Sequence, residues 1–212
     1  MYLSRIELDT KRHDTRRAIA SPQVLHAAVE RCFHTADGEK QRKLWRIDLL
    51  RERIYLLTLS PEPPDFTNFS HQFCAPGNKE EIKDYRPIIE NIKEGHCFRF
   101  RLRGNPTHSV STEKDMRGKV LAHVTTEQQR GWLMKKAQNN GFGLSEGEFD
   151  IVETRLLRFL RAEKNKPVEI NTAIFEGRLE VTDADLFSRA LTQGIGRAKA
   201  YGCGLITVMP LQ

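Results

Sequence analysis

The glycine-rich segment from Gln193 to Leu205 contains the residue types best suited to binding an anion. It holds four of the fourteen glycines of the chain, among them Gly194 and Gly196, together with the cations Arg197 and Lys199. Glycine lets a backbone approach a ligand closely and adopt positive φ angles. Successive backbone N–H groups in such a turn form an anion-binding concavity. The segment therefore predicts contact with a phosphate group.

Two common phosphate motifs do not fit this segment. A dinucleotide-binding fingerprint follows a strand and opens a helix, whereas this segment follows a predicted helix and precedes a predicted strand. A P-loop is excluded because neither Gly-Lys-Ser nor Gly-Lys-Thr occurs in the sequence. Two interpretations remain: a phosphate-binding turn, and a tight helix-to-strand turn that needs glycine for packing.

Histidine is the side chain through which this protein can transfer protons near neutral pH, because its ordinary pKa is about 6.5. Of the seven histidines, His26 is the best placed. It lies on an early predicted helix that begins at Ser21 and Pro22, since serine is favoured at the N-cap and proline at the first helical position. The preceding basic segment, Lys11 to Arg17, is predicted to be a surface loop. Considered alone, a histidine at this position is more commonly an ordinary surface or boundary residue than a catalytic one.

No metal site and no cofactor are expected. The four cysteines are far apart and form no C-x-x-C pair, whereas structural zinc sites use closely spaced ligand pairs. The carboxylates are scattered among basic residues, and the Gly-x-Ser-x-Gly motif of serine hydrolases is absent. Free thiols, an acidic N-terminal segment and the lack of an apolar run of membrane length predict a cytoplasmic protein without membrane contact.

The charge balance favours an anionic partner. Thirty-four Lys and Arg residues exceed 28 Asp and Glu residues, which gives a net charge of +6 and an isoelectric point of about 9.2. Nucleic acid is the leading candidate. RNA carries its own nucleophile, the 2′-hydroxyl, so a protein need only align it, move protons and stabilise charge on phosphorus. A basic chain without a metal motif is therefore compatible with RNA cleavage.

Three arginines alternate with apolar residues along a predicted strand, Cys97 to Gly104. Arg99, Arg101 and Arg103 fall on one face of this strand because side chains alternate with a period of two. Like charges in line repel one another unless an anion lies across them, so the face predicts an RNA contact. Further basic residues lie at the end of a predicted helix that Thr125 or Thr126 caps, and at the tip of a predicted hairpin: Lys135, Lys136, Arg158, Arg161, Lys164 and Lys166.

The order of predicted elements indicates an α+β fold. Each half of the chain contains strands and helices in a βαββ-like order, without the long parallel βαβ alternation of α/β proteins. We predict two tandem ferredoxin-like (RRM-like) domains with antiparallel sheets. Residues 1–93 form the N-terminal domain with His26, and residues 94–212 form the C-terminal domain with the basic hairpin and the glycine-rich segment.

Several collinear segments resemble the CasE family, the Cascade-type CRISPR RNA-processing endoribonucleases of the RAMP superfamily. The resemblance is carried by Met1-Tyr-Leu-Ser-Arg, Leu25-His-Ala-Ala-Val, Phe98-Arg-Phe-Arg-Leu-Arg-Gly-Asn-Pro, Phe175-Glu-Gly-Arg-Leu-Glu-Val and the glycine-rich segment. These segments extend from one end of the sequence to the other. The arginine strand combined with the glycine-rich segment is the most specific part of the pattern.

The resemblance implies a metal-independent cut on the 3′ side of the repeat stem-loop of precursor CRISPR RNA, leaving a 2′,3′-cyclic phosphate and a 5′-hydroxyl. It places the catalytic histidine at His26. Some members carry a tyrosine three residues earlier, where this chain has Gln23, which can hydrogen-bond to RNA but cannot act as a phenolic acid or base. Some members carry an arginine directly after the histidine, where Ala27 stands here.

The resemblance also implies that the basic helix and hairpin hold the RNA stem. The protein would remain bound to its product and join other Cascade subunits, with no direct DNA contact. Two alternatives stay open. One is a non-cleaving RNA-binding subunit of the same superfamily. The other is a small enzyme that acts on a phosphorylated metabolite through the glycine-rich segment.

Overall fold

The computed structural model describes residues 1–33, 41–110, 119–161 and 166–211, without the side chains of Arg161 and Lys166. Lys164 therefore lies outside the described residues, as do the side chains of its two predicted neighbours at the hairpin tip. Within the described ranges, no helix is long and apolar enough to cross a membrane.

The first sheet is built from the N-terminal half. Its elements are β1 (Tyr2–Leu8), α1 (His13–Ala20), α2 (Pro22–Glu30), β2 (Leu44–Leu50), β3 (Arg53–Ser60), α3 (Thr67–Phe73), β4 (Glu81–Asp84) and α4 (Arg86–Glu90). The four strands are antiparallel in the order β2-β3-β1-β4. The strand β2 therefore forms one edge of this sheet, and β4 forms the other.

The second sheet is built from the C-terminal half. Its elements are β5 (Cys97–Gly104), β6 (Thr107–Val110), β7 (Lys119–Ala122), α5 (Thr126–Gln138), β8 (Phe142–Gly143), β9 (Phe149–Arg161), β10 (Lys166–Val181), α6 (Ala184–Gln193), a 3-10 helix (Lys199–Tyr201) and β11 (Ile206–Pro210). The order is β11-β5-β10-β8, β9 also pairs with β10, and β6 and β7 form a separate hairpin. All of these pairings are antiparallel. The predicted α+β class with two antiparallel sheets is confirmed.

The helix α2 forms where the sequence predicts it, because its apolar residues recur at helical spacing. Leu25, Ala28 and Val29 are almost fully buried and pack against the helix-facing side of the first sheet. Ser21 is the N-cap residue and Pro22 occupies the first turn, although the Ser21 side chain makes no capping hydrogen bond. This packing fixes the face of α2 that carries His26.

The prediction of a surface loop from Lys11 to Arg17 is wrong for most of that segment. The helix α1 begins at His13, and its buried residues are Thr15 and Ala18, three positions apart. The Thr15 hydroxyl donates a hydrogen bond of 2.9 Å to the carbonyl of Phe73 in α3. A helix face with only two small buried residues produces a weak apolar pattern, which explains the error.

The core of the second half lies between its sheet and the helices α5 and α6. Phe98, Phe100 and Leu102 of β5 point into this core and pack with residues that include Trp132 and Phe187. The helix α5 begins at a Thr125 N-cap with a full capping box, as the sequence suggests. Because β5 buries its apolar face here, its arginines must project from the opposite face of the sheet.

A buried arginine joins the two halves. Arg46 of β2 is 1% exposed, and its Nε and Nη2 atoms donate to the two carboxylate oxygens of Asp48, each at 2.7 Å. Its Nη1 atom donates to the carbonyls of Arg101 and Leu205 in the other half, at 2.8 and 2.9 Å. Nη2 also donates to the Thr207 hydroxyl at 2.9 Å. One guanidinium therefore satisfies acceptors in both sheets.

Apolar packing continues the contact between the halves. Leu44 and Leu59 from the first sheet form a buried cluster with Tyr85 and with Leu205, which precedes β11. Burial of such side chains stabilises the interface by about 1.5–3 kcal/mol for each fully buried residue. The polar contacts of Arg46 fix the relative placement of the two sheets, since hydrogen bonds are directional and apolar contacts are not.

Replacing Arg46 by Met should lower the free energy of unfolding by about 3 kcal/mol. This is the lower end of the usual cost of breaking a buried ion pair, because Asp48 keeps Arg101 at 3.2 Å as a second partner. Chemical denaturation measures this change. The control is Arg53→Met, which removes an exposed pair with Glu7 and should change stability little. Equal effects of the two substitutions would show that Arg46 does not hold the interface.

Candidate functional site

His26 lies on α2 with about one third of its side chain exposed. Its Nδ1 atom is shielded from solvent, makes no hydrogen bond to a described residue, and lies 3.9 Å from the carboxylate of Glu30, one helical turn later. Glu30 is itself held by Lys43, whose Nζ atom is 2.9 Å from the other carboxylate oxygen. Since Nδ1 is enclosed, Nε2 is the nitrogen through which His26 can exchange a proton with a ligand.

Gln23 is half-buried on α2, three residues before His26, so the two side chains share one side of the helix. Its amide can donate and accept hydrogen bonds but has no ionisable proton. The neighbouring residue that follows His26, Ala27, is exposed and carries no functional group. Of Gln23, His26 and Ala27, His26 is therefore the residue that can carry acid–base chemistry.

The glycine-rich segment packs directly against α2 through its 3-10 helix, Lys199–Tyr201. Five of its residues have positive φ angles: Gly194, Gly196, Ala198, Gly202 and Gly204. The amides of Gly196, Arg197 and Ala198 donate to no acceptor in the described chain. The predicted phosphate-binding turn thus has available N–H donors close to the helix of His26.

A cluster of three cations surrounds this turn. Burial lowers the pKa of Lys199, and the nearby charges of Arg42 and Lys136 lower it further. The Lys199 ammonium donates a hydrogen bond of 2.8 Å to the Gly196 carbonyl, and no carboxylate lies within ion-pair distance of it among the described residues. A cluster of like charges close enough to perturb one another favours binding of an anion.

Arg42 was not predicted as a functional residue. It precedes β2 in a short polar segment and has no motif around it, so sequence reasoning had no signal to select it. Glu30 and Lys43 were missed for the same reason. All three become candidates only because the fold brings the segment before β2 beside α2 and the glycine-rich segment.

The glycines also serve packing, so both interpretations of the segment apply. A Cβ atom on Gly202 would lie 2.7 Å from the Trp45 ring, and one on Gly194 would lie 2.8 Å from Leu44. Both partners belong to β2 in the other half of the chain. At Gly196 the obstacle would be Trp132 of α5, at 3.0 Å. The segment is therefore wedged between the two halves, and glycine is required there by steric contact.

The three arginines of β5 lie in different environments. Arg99 is exposed, whereas Arg101 pairs with the buried Asp48 and with Glu176. Arg103 is only 8% exposed. At Arg101, two carboxylates of the protein take the place of the predicted external anion. Arg99 and Arg103 remain the two arginines of this strand without a carboxylate within 4 Å in the described chain.

Other predicted contacts lie on the last turn of α5 and on the β9–β10 hairpin. Lys135 and Lys136 are in that turn, and Lys135 is close enough to His123 to lower its pKa, after the larger effect of burial and that of His108. Arg158 is exposed and pairs with Glu169 across the hairpin at 2.8 Å. Lys136 belongs both to this turn and to the cations near Lys199.

No three His, Cys, Asp or Glu side chains lie close enough to hold a metal ion in the described parts of the chain. Burial raises the pKa of the Cys203 thiol to about 12, so this residue in the glycine-rich segment is a thiol rather than a thiolate at neutral pH. The described groups at this site include an imidazole, the Glu30 carboxylate, cations and backbone amides. These are the groups that transfer protons and stabilise a developing negative charge on phosphate.

The sequence matches a protein-family model described as CRISPR associated protein over residues 1–210. It is 29% identical over 221 residues to the CRISPR-associated endoribonuclease Cse3 of Thermus thermophilus, covering 99% of this chain and 100% of that protein. It is also 30% identical over 127 residues to the CRISPR system Cascade subunit CasE of Escherichia coli, covering 57% of this chain and 61% of that protein.

Solved structures resemble the whole chain. The CRISPR endoribonuclease Cse3 bound to a 19-nucleotide RNA has a TM-score of 0.85 at 28% identity, covering 99% of this chain and 100% of the other. Cse3 of Thermus thermophilus bound to an RNA that represents a pre-cleavage complex has a TM-score of 0.83 at 28% identity. This second comparison covers 99% of this chain and 98% of the other.

Gly202→Ala and Gly95→Ala should separate the steric requirement of the glycine-rich segment from its backbone conformation. The φ angles are +78° and +79°, so both substitutions should lower the free energy of unfolding by about 1–2 kcal/mol because alanine disfavours the left-handed conformation. A Cβ atom at Gly95 meets nothing within 4 Å, whereas at Gly202 it meets Trp45. We expect Gly202→Ala to cost about 1–3 kcal/mol more, measured by chemical denaturation. Equal losses would contradict the wedged position of the segment.

Proposed function

This chain belongs to the CasE family of CRISPR-associated proteins, and on that premise we propose that it is an endoribonuclease that cleaves precursor CRISPR RNA. The observation that carries the proposal is the position of His26, whose helix packs against a turn with free amides and a cluster of cations. An imidazole beside such a cluster can transfer a proton while a phosphate is held in place. The RNA-bound relatives support RNA as the ligand.

The proposed reaction is an attack of the RNA on itself. The 2′-hydroxyl loses its proton and its oxygen forms a bond to the adjacent phosphorus, while the bond from phosphorus to the 5′-oxygen of the next nucleotide breaks. The leaving 5′-oxygen takes up a proton. The products are a 2′,3′-cyclic phosphate and a 5′-hydroxyl, and no water or metal ion is consumed.

His26 would supply or remove one of these two protons through Nε2. Glu30, fixed by Lys43, lies on the Nδ1 side of the ring and would keep that side turned inward. Lys199 and its neighbouring cations would stabilise the extra negative charge that develops on the phosphorane, because charge–charge interactions strengthen where water is partly excluded. Gln23 would contribute a hydrogen bond only.

The stem of the repeat hairpin would lie on the surface formed by the last turn of α5 and the β9–β10 hairpin. A-form RNA is recognised mainly through its phosphates, its 2′-hydroxyls and its shape, so several separate cations suit it better than one pocket. Lys135, Lys136 and Arg158 are the described residues placed for this role. Arg161, Lys164 and Lys166 are proposed from the sequence alone.

We further propose that the cytoplasmic protein keeps its product and joins other Cascade subunits. The name of the Escherichia coli relative, a Cascade subunit, supports this assignment. A second candidate function is that of a non-cleaving RNA-binding subunit, which is favoured by the lack of an ionisable group at Gln23. A cleavage assay distinguishes the two functions.

Replacing His26 by Ala should reduce cleavage of the cognate repeat hairpin by at least about 100-fold, the lower range for loss of a general acid or base. Binding of the hairpin should change by no more than a few-fold, and chelating agents should not slow the wild-type protein. The measurement is a single-turnover assay with analysis of the product ends. His13→Ala is the control, because His13 is highly exposed on the neighbouring helix α1. Normal cleavage by His26→Ala, or inhibition by EDTA, would exclude this mechanism.

Arg42→Gln should weaken binding of the hairpin and make it less sensitive to salt. Each phosphate contact contributes about 0.7–0.9 to the slope of log K against log salt concentration, because a bound cation releases condensed counterions. We expect the slope to decrease in magnitude by about this amount. Lys83→Gln is the control, because Lys83 lies on β4, the edge strand opposite to β2. An unchanged slope in Arg42→Gln would show that Arg42 does not contact the RNA phosphates.

A further inference from the structure

A cleft with a volume of about 460 Å³ lies between the two halves of the protein. One wall comes from α2 and from the strands β2 and β3, and the other comes from β5, β9, β10 and the 3-10 helix. Ile47, Leu49 and Ile54 form an apolar part of its lining, whereas Arg103 and Arg155 form a basic part. The volume falls within the range of about 300–1,000 Å³ that is usual for small-ligand sites.

Arg103 is buried at this cleft without a counter-charge. Its Nε atom is shielded from solvent and has no acceptor, and no carboxylate lies within 4.0 Å of its guanidinium among the described residues. Arg101, two residues earlier on the same face of β5, has both Asp48 and Glu176. Burying an unpaired charge is costly. Carboxylates of the protein therefore neutralise Arg101, whereas Arg103 on the same face is available for a ligand.

A second donor at the same cleft also lacks an acceptor. Trp45 is 2% exposed, lines the cleft, and its Nε1 atom has no hydrogen-bond partner in the described chain. Its ring is held by the backbone of Gly202, which leaves no space for a side chain. Buried polar groups in folded proteins nearly always have a partner. Because Trp45 Nε1 is also shielded from solvent, an occupant of the cleft does not reach it, and Trp45 forms part of the cleft wall.

We propose that this cleft binds one nucleotide of single-stranded RNA that adjoins the base of the repeat stem. Phosphate or base oxygens of that nucleotide accept from the Arg103 guanidinium, and the base lies against the apolar lining. Tyr201, which packs against Phe159 with the ring centroids 5.0 Å apart, provides an aromatic surface at the cleft. Aromatic and apolar surfaces combined with a cation are the usual means of holding unpaired nucleotides.

The location of the cleft connects it to the proposed catalytic site. Pro22 and Leu25 line the cleft, and His26 follows on the same helix. Tyr201 belongs to the 3-10 helix that begins with Lys199. A single strand leaving the scissile phosphate thus has the cleft beside it. This inference rests on the proposed function, and it adds a site for an unpaired nucleotide to the surface that holds the stem.

The test compares three RNAs bound to a protein with the His26→Ala substitution, so that cleavage cannot affect the result. The first RNA is the bare repeat stem-loop, the second adds three single-stranded nucleotides on its 5′ side, and the third adds three on its 3′ side. We expect an extension on one side to increase affinity by about 10-fold, and Arg103→Met to reduce this gain to less than 2-fold. Lys83→Gln, on the edge strand β4 opposite to β2, should retain the gain. The proposal is overturned if neither extension increases affinity or if Arg103→Met retains the gain.

A thermal denaturation experiment separates binding from folding. Because the buried Arg103 charge has no carboxylate partner in the described parts of the chain, Arg103→Met should leave the melting temperature unchanged or raise it in the absence of RNA. A fall of several degrees would assign Arg103 a structural role and overturn the proposal. Should this variant fail to fold, Arg103→Lys keeps the charge while removing the Nε donor, and the affinity gain should still be reduced.

Photochemical crosslinking locates the nucleotide independently of any substitution at Arg103. A 4-thiouridine placed in the extension should crosslink to the peptide that contains Trp45 or Tyr201, and free uridine monophosphate should not compete at concentrations comparable to those of the RNA. Competition by the free nucleotide would identify a separate mononucleotide site and overturn the proposal. These binding assays can fail while His26-dependent cleavage is intact, so the inference and the proposed function are tested separately.

Discussion

The arrangement of this protein depends on the need of one buried charge for hydrogen-bond partners. The Arg46 guanidinium is almost completely removed from water, and it is acceptable there only because a carboxylate, two carbonyls and a hydroxyl surround it. Three of these four acceptor groups belong to the other half of the chain, so the charge is stable only when the two halves occupy one relative position. That position brings the edge strand β2 against the glycine-rich segment. The candidate catalytic histidine and the cation cluster are neighbours as a result.

The glycine-rich segment illustrates how one set of residues meets two requirements. Gly194 and Gly202 contact Leu44 and Trp45 so closely that a side chain has no space. Because Leu44 and Trp45 belong to β2, this contact fixes the turn relative to the first sheet. The same positive φ angles leave amides of the turn without acceptors among the residues that the structure describes. From the sequence alone, packing and anion binding are alternative explanations for the glycines of this segment. In the structure, packing holds the turn in the conformation that makes its donors available.

The sequence predicted those parts of the fold that have a strong local pattern. The alternation in β5 and the apolar spacing in α2 each define a buried face, so both elements are where the pattern places them. The strand β4 escaped prediction because all four of its residues are exposed, and it exists only through pairing with β1. In the same way, Arg42 joins the cation cluster through a contact between segments distant in sequence. Such contacts leave no local pattern in a single sequence.

The groups that Arg46 binds in the second half place few limits on which side chains relatives of this protein can carry there. Two of them are main-chain carbonyls, those of Arg101 and Leu205, and a carbonyl is present whatever side chain the residue carries. The junction can therefore tolerate exchange of residues on the nearby face without losing its geometry. Homologues could change the charged surface by substitution while keeping the same rigid framework. Covariation analysis would then detect little constraint between position 46 and the side chains at 101 and 205.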